Sequence, residues 1–168
     1  KVLIDGKYAE MAVQLYYNDW FVIEGINACH SKQSNFNISH SNHNVLRRIV
    51  SWDAQDNNSE IFGIHYGSFN TFEDIAGFGT ARKIVSGSYG GDHTTIRRAW
   101  ARWERSTVVG PKMTYTLAYD NYYMTCENCI GSWSGQSMPQ TYVLRDYSGN
   151  PWTGSTGGTY TNYAVEQP

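Results

Sequence analysis

Between Thr95 and Arg105 the chain places Arg97, Arg98, Arg102 and Arg105 around Trp100 and Trp103. Guanidinium groups clamp carboxylate, sulfate or phosphate through paired hydrogen bonds, and indole faces stack on cations or on the C–H faces of sugars. A segment of this kind suits an anionic or glycan ligand. The same arginines would also serve as a solvated face paired with acidic side chains from elsewhere in the chain.

Other residues offer acid–base or metal chemistry. His65, and His93 beside Asp92, are candidate proton carriers, with Glu24, Glu60, Glu73 and Asp74 as carboxylate partners. His93 followed by arginines would fit a small hydrolase or nuclease that holds a phosphate ester. The pair Cys126 and Cys129 has zinc-ligand spacing, and His40 and His43 could complete a four-ligand set. Each half of that set is weak alone, and no phosphate loop or complete Gly-x-Gly-x-x-Gly occurs. The reading therefore assigns no catalytic residue, no metal and no cofactor.

The groups that remain are those of a glycan-binding protein. Trp133, Trp152, Tyr147 and Tyr160 are the expected stacking residues among many Gly, Ser and Thr, with Arg98 and Arg102 to hold acidic sugars. The preferred expectation is a non-catalytic lectin or adhesin, secreted or at the cell surface, with glycans or glycoconjugates as partners. The alternatives are a secreted membrane-binding cytolysin, with Trp and Tyr at headgroup level, and a small hydrolase or nuclease using His93 or His65. A sequence pI near 6.2 argues against nucleic acid as the partner.

Composition sets the frame for these groups. Only 17% of the 168 residues are charged, the net charge is −2, and Gly, Ser, Thr and Asn take the place of Lys and Glu. With 13 Tyr and 6 Trp, the chain suits pleated, half-buried surfaces better than helices. No apolar run is long enough for a membrane-spanning helix. Three cysteines leave the pairing open: Cys29 with Cys126 or Cys129, Cys126 with Cys129, or all reduced. Two glycosylation triplets, at Asn37 and Asn57, fall in polar surroundings.

The elements expected to position these residues are strands. Residues 11 to 17 and 20 to 24 read as a pair joined at Asn18 and Asp19, and residues 45 to 52 and 61 to 66 as an antiparallel hairpin with a long tip. Residues 113 to 119 and 122 to 126 read as a further hairpin carrying Tyr115, Tyr119, Tyr122 and Tyr123. Ser31 to Asn44 is almost wholly polar and reads as a long surface loop. Residues 95 to 105 fit a helix, through Ile96, Trp100 and Trp103, or a strand, and the strand is preferred. Strict alternation in that strand would put Trp103 with Arg97, Ala99 and Ala101, and Trp100 with Ile96, Arg98 and Arg102. No internal repeat is expected. The fold expectation is one all-β domain over 1–168, a mostly antiparallel sandwich or barrel-like structure with at most one or two short helices.

Overall fold

Short runs of alternating apolar and polar residues cannot bury their apolar side alone, and in this chain they do so by stacking on their own successors. The computed structural model describes residues 1–108, 113–119, 123–133, 159–161 and 164–166; of these, 113–119, 133, 159–161 and 164–166 are described through their backbone. The first strands are β1 (Val2–Asp5), β2 (Val13–Tyr16), β3 (Val22–Glu24), β4 (Ile26–Cys29) and β5 (Phe36–Ser39). They are followed by β6 (Val45–Trp52), β7 (Glu60–His65), β8 (Thr71–Thr80), β9 (Lys83–Ser88) and β10 (Thr95–Arg105). The last are β11 (Met113–Tyr119), β12 (Thr125–Glu127), β13 (Ile130–Trp133), β14 (Thr159–Thr161) and β15 (Ala164–Glu166).

Strands β2, β5, β7, β9 and β11 form a five-stranded sheet, and the others form a ten-stranded sheet whose backbone order is β1-β4-β6-β8-β10-β12-β14. Every strand pairing among the described residues is parallel. Val22 aligns with Val45, Val45 with Thr71, Thr71 with Thr95 and Thr95 with Thr125, steps of 23, 26, 24 and 30 residues. The chain is thus a β-solenoid, each rung contributing to both sheets. All-β character is as expected, with no helix among the described residues. The antiparallel sandwich or barrel is not what forms, and a repeat is present where none was expected.

The expected hairpins dissolve for one reason: neighbours in sequence lie in different sheets. β2 pairs with β5 while β3 pairs with β6, and β6 and β7 belong to separate sheets. β11 pairs with β9, whereas Thr125–Glu127 pairs with β10. Ser31 to Asn44 is not a surface loop either. It contains β5, whose Phe36 and Ile38 are fully buried, and its polar residues Ser31, Asn35, Ser41 and Asn44 are buried as well.

Those polar residues are satisfied by their counterparts on adjacent rungs. Asn44 Nδ2 donates to the Asn18 carbonyl at 3.0 Å, and Asn44 N donates to Asn70 Oδ1 at 3.0 Å. Asn70 Nδ2 in turn donates to the Ser41 carbonyl at 2.9 Å. Asn35 accepts from Ser31 N and donates to Ser51 Oγ and the Trp52 carbonyl. Each asparagine thereby bonds backbone groups that a turn would leave unpaired.

The core lies between the sheets and runs along the solenoid. Phe36 aligns with Phe62 and Phe62 with Val85, while Leu46, Phe72, Ile96 and Cys126 form a facing column. Phe62 bridges the two sheets, its ring 5.3 Å from Phe36 and 5.7 Å from Phe72. Gly77 is required here, because a Cβ on it would sit 2.8 Å from Ile84 Cγ2 and 3.0 Å from the Phe62 ring.

Corners recur at left-handed backbone positions. Tyr17, His40, Tyr66 and Tyr89 form one such column, and Trp20, His43, Phe69, His93 and Tyr123 another, with φ between 50° and 67°. A third comprises Gly25, Arg48, Asp74, Arg98 and Asn128, where the ten-stranded sheet bends. At non-glycine residues this conformation costs roughly 1–2 kcal/mol each.

Candidate functional site

The arginine and tryptophan segment is strand β10, as preferred from the sequence, but its faces differ from strict alternation. Ile96 is buried, and so are Ala99, Ala101 and Trp103. Arg98, at φ 50°, is the cause: the left-handed residue turns the strand and shifts the inward parity by one position. Trp103 is therefore the core tryptophan, donating from its indole Nε1 to the Ala81 carbonyl at 3.0 Å. Trp100, Arg102 and Glu104 face outward and are half-buried.

Arg97 and Arg98 of this strand are neutralised, as are Arg47 and Arg48 on the preceding rung. Glu24, Arg47, Glu73, Arg97 and Glu127 occupy one register column, acid and base in alternation along the solenoid. Arg47 Nε donates to Glu24 at 2.8 Å, Arg97 Nε to Glu73 at 2.8 Å, and Arg98 Nε to Asp74 at 2.6 Å. Arg48 also pairs with Glu24, and Arg98 with Glu73. The Arg97 guanidinium holds the Glu73 carboxyl below its ordinary pKa, and Arg98 does the same for Asp74. Arg98, an expected ligand contact, is committed to these carboxylates.

Arg102 is different. Its contact with Glu104 is 4.0 Å long, and its Nε is buried without a hydrogen-bond partner. In register it stands beside Phe78, which aligns with Trp52 on the far side. The Trp52 and Phe78 rings lie 6.0 Å apart at 11°, and Phe78 and Trp100 lie 6.0 Å apart at 55°. Trp52, Phe78 and Trp100, on three successive rungs and all half-buried, make an aromatic row with the Arg102 guanidinium beside Phe78. Trp100 and Arg102 carry a sequence signal as part of the arginine and tryptophan segment; Trp52 reads only as the end of a strand, and Phe78, between two glycines, carries none.

The two aromatic corner columns are more exposed but less suited to stacking a ligand. Trp20 and His43 are parallel at 4.1 Å, His43 and Phe69 at 5.0 Å, Phe69 and His93 at 4.8 Å, and His93 and Tyr123 at 4.7 Å. His40 is similarly held between Tyr17 and Tyr66, at 4.8 and 4.7 Å. Ring faces in these columns cover one another, so each inner ring has little free face. This also places His93, a candidate proton carrier, inside a stack.

His65 has a fuller polar environment. Its Nδ1 lies 2.6 Å from Ser88 Oγ and its Nε2 3.6 Å from Glu60 Oε2. Glu60 accepts from Ser34 Oγ at 2.6 Å and Lys83 Nζ at 3.2 Å. Burial pushes the Glu60 carboxyl up, but His65, Lys83 and Ser34 outweigh it and hold the pKa at about 2. Gly63 makes room, since a Cβ there would lie 3.2 Å from both Glu60 Oε2 and His65 Nε2. The acid–histidine–serine order resembles a hydrolytic relay, yet Ser88 is fully buried and offers no nucleophile to a substrate in solvent. The network ties Ser34, just before β5, to β7 and β9.

The four-ligand set that Cys126, Cys129, His40 and His43 could in principle make, and that the sequence reading did not adopt, does not assemble. Cys126 and Cys129 are disulfide-bonded, and both histidines belong to the ring columns. Cys29 is the free cysteine and is buried.

Of the remaining expected contacts, Trp133 lies in β13 at the register position of Trp103, and Tyr160 lies in β14 at that of Cys126. Tyr147 and Trp152 fall outside the described residues. No protein-family model, curated protein or solved structure matches the chain.

Proposed function

We propose that the chain is a non-catalytic glycan-binding protein whose contact surface is the row Trp52, Phe78, Trp100 and Arg102. What carries the reading is that three half-buried aromatic rings on successive rungs lie beside an arginine whose Nε makes no hydrogen bond and whose contact with Glu104 is 4.0 Å long. Apolar ring surface meets sugar C–H groups, and the guanidinium meets a carboxylate or sulfate. Contacts repeating at the spacing of a parallel sheet, about 4.8 Å, suit a repeating polymer better than a compact ligand. The Cys126–Cys129 disulfide supports an exported setting, secreted or at the cell surface.

The experiment is a glycan array covering neutral, uronic and sulfated oligosaccharides, followed by calorimetric titration of the best binder. Trp52→Ala and Trp100→Ala each weaken binding about tenfold or more, and Arg102→Gln removes the preference for charged over neutral sugars. Absence of binding to every arrayed glycan at high micromolar protein overturns the proposal. Binding that survives all three substitutions moves the site elsewhere.

A further inference from the structure

At the start of the solenoid, parallel pairing of β1 with β4 sets Asp5 beside Cys29, and the next residue, His30, turns the corner at φ 53°. His30 Nδ1 lies 3.1 Å from Asp5 Oδ1 and 3.5 Å from Cys29 Sγ. The three donor atoms lie within 4.8 Å of one another. We propose that Asp5, Cys29 and His30 form a site for one divalent transition-metal ion of the zinc class.

Two of the three donor separations suit a shared metal ion. Bond lengths of about 2.3 Å to sulfur and about 2.0–2.1 Å to nitrogen and oxygen, at tetrahedral angles, require donor separations of roughly 3.3–3.6 Å. The separations from His30 Nδ1 to the other two donors fall close to that range. A single ring nitrogen faces both a thiol and a carboxylate, and one proton on it cannot satisfy both fully. A cation between the three would satisfy all of them. One sulfur, one nitrogen and one oxygen donor favour zinc, cobalt or nickel over magnesium or calcium, which take oxygen alone.

The supporting shell is rigid. Backbone bonds run from Gly6 N to the Cys29 carbonyl, from Tyr8 N to the His30 carbonyl and from His30 N to the Asp53 carbonyl, at 3.0, 2.6 and 2.6 Å. The Tyr8 ring packs 4.9 Å from the His30 ring, restricting its rotation. Asp5 also accepts from Lys7 N at 2.9 Å, which orients its carboxylate. Three protein ligands would leave a fourth position for solvent on the side of Asp5, which is exposed. The site makes no use of Trp52, Phe78, Trp100 or Arg102, so it stands or falls apart from glycan binding.

The test is titration of the chelator-treated, thiol-protected full chain with Co²⁺. The expected result is a saturable thiolate-to-cobalt charge-transfer band with the intense d–d absorption of a tetrahedral site, at one equivalent, bleached by Zn²⁺. Cys29→Ser abolishes the charge-transfer band, and His30→Ala and Asp5→Asn weaken Zn²⁺ binding at least tenfold, with circular dichroism showing that each variant is folded. A Cys126→Ser/Cys129→Ser variant retains the band. Absence of the band at equimolar cobalt, or an unchanged band in folded Cys29→Ser, overturns the proposal.

Discussion

Arg98 donates through Nε to Asp74 Oδ1 at 2.6 Å, and both residues occupy the same left-handed bend on adjacent rungs. A strained backbone position is therefore also an ion-pair position. Removing the side chain and relieving the backbone can be separated by choosing the substitution. Arg98→Ala loses the pair and keeps the strain, whereas Arg98→Gly loses the pair and relaxes the backbone. Arg98→Gly melts at a higher temperature than Arg98→Ala in thermal denaturation, and the pair's own contribution, from a double-mutant cycle with Asp74→Ala, shrinks as salt rises.

The corner stacks are expected to offset part of the cost of their left-handed residues. His43 touches Trp20 at 4.1 Å and Phe69 at 5.0 Å. Each such ring pair contributes about 0.5–1.5 kcal/mol beyond area burial. His43→Ala should lower urea stability by roughly 1–3 kcal/mol, with His43→Phe recovering most of the loss. Equal stabilities of the Ala and Phe variants would remove stacking as the explanation.

Trp103 fills the core and satisfies the Ala81 carbonyl. Trp103→Ala is expected to cost about 3–5 kcal/mol, enough to unfold a domain of ordinary stability. Trp103→Phe isolates the hydrogen bond, and its loss of about 1–3 kcal/mol is read by chemical denaturation. By contrast, Trp100→Ala, on the outward face, leaves stability much less changed.

Glu60 carries a pH dependence whose sign follows from its depressed pKa. The folded carboxyl titrates near 2 against an ordinary value of 4.5, so the native state binds fewer protons than the unfolded state through that interval. The stabilisation is complete above about pH 4.5 and is lost as pH falls toward 2. It amounts to something on the order of 3 kcal/mol at neutral pH. Denaturant midpoints measured from pH 6 to pH 2 should fall steeply for the wild type and much less for Glu60→Gln, which starts from a lower stability at pH 6.

Gly67 sits against the Ser41 backbone, where an added Cβ would lie 2.2 Å from the Ser41 carbonyl oxygen. Backbone cannot yield as a side-chain tip does. Gly67→Ala should therefore destabilise by about 1–3 kcal/mol, and amide exchange should show the loss concentrated at the Ser41 and Asn70 corner.

Strand character is legible at residues 45 to 52 and in the clean alternation of 113 to 119, and β10 is a strand despite a helical alternative. The repeat was not read, although Asn44 and Asn70, or Tyr66 and Tyr89, are equivalent residues. Its rungs differ in length, and its aromatic corners interchange Tyr, His, Trp and Phe, so the likeness lies in position more than in letters. The row of Trp52, Phe78 and Trp100 was invisible for a related reason: these rings come together only once β6, β8 and β10 are in register.

By itself the sequence determined that this is a β protein with few charges, many aromatic rings and an arginine-rich strand, because those follow from composition and local alternation. Tertiary structure decided the rest. Parallel and antiparallel strands share the same local pattern, and pairing between residues 23 to 34 positions apart leaves no mark on either strand alone. One left-handed residue, Arg98, then put Trp103 on the same buried side as Ile96, since inward and outward alternate by single positions and a bend of one residue exchanges them.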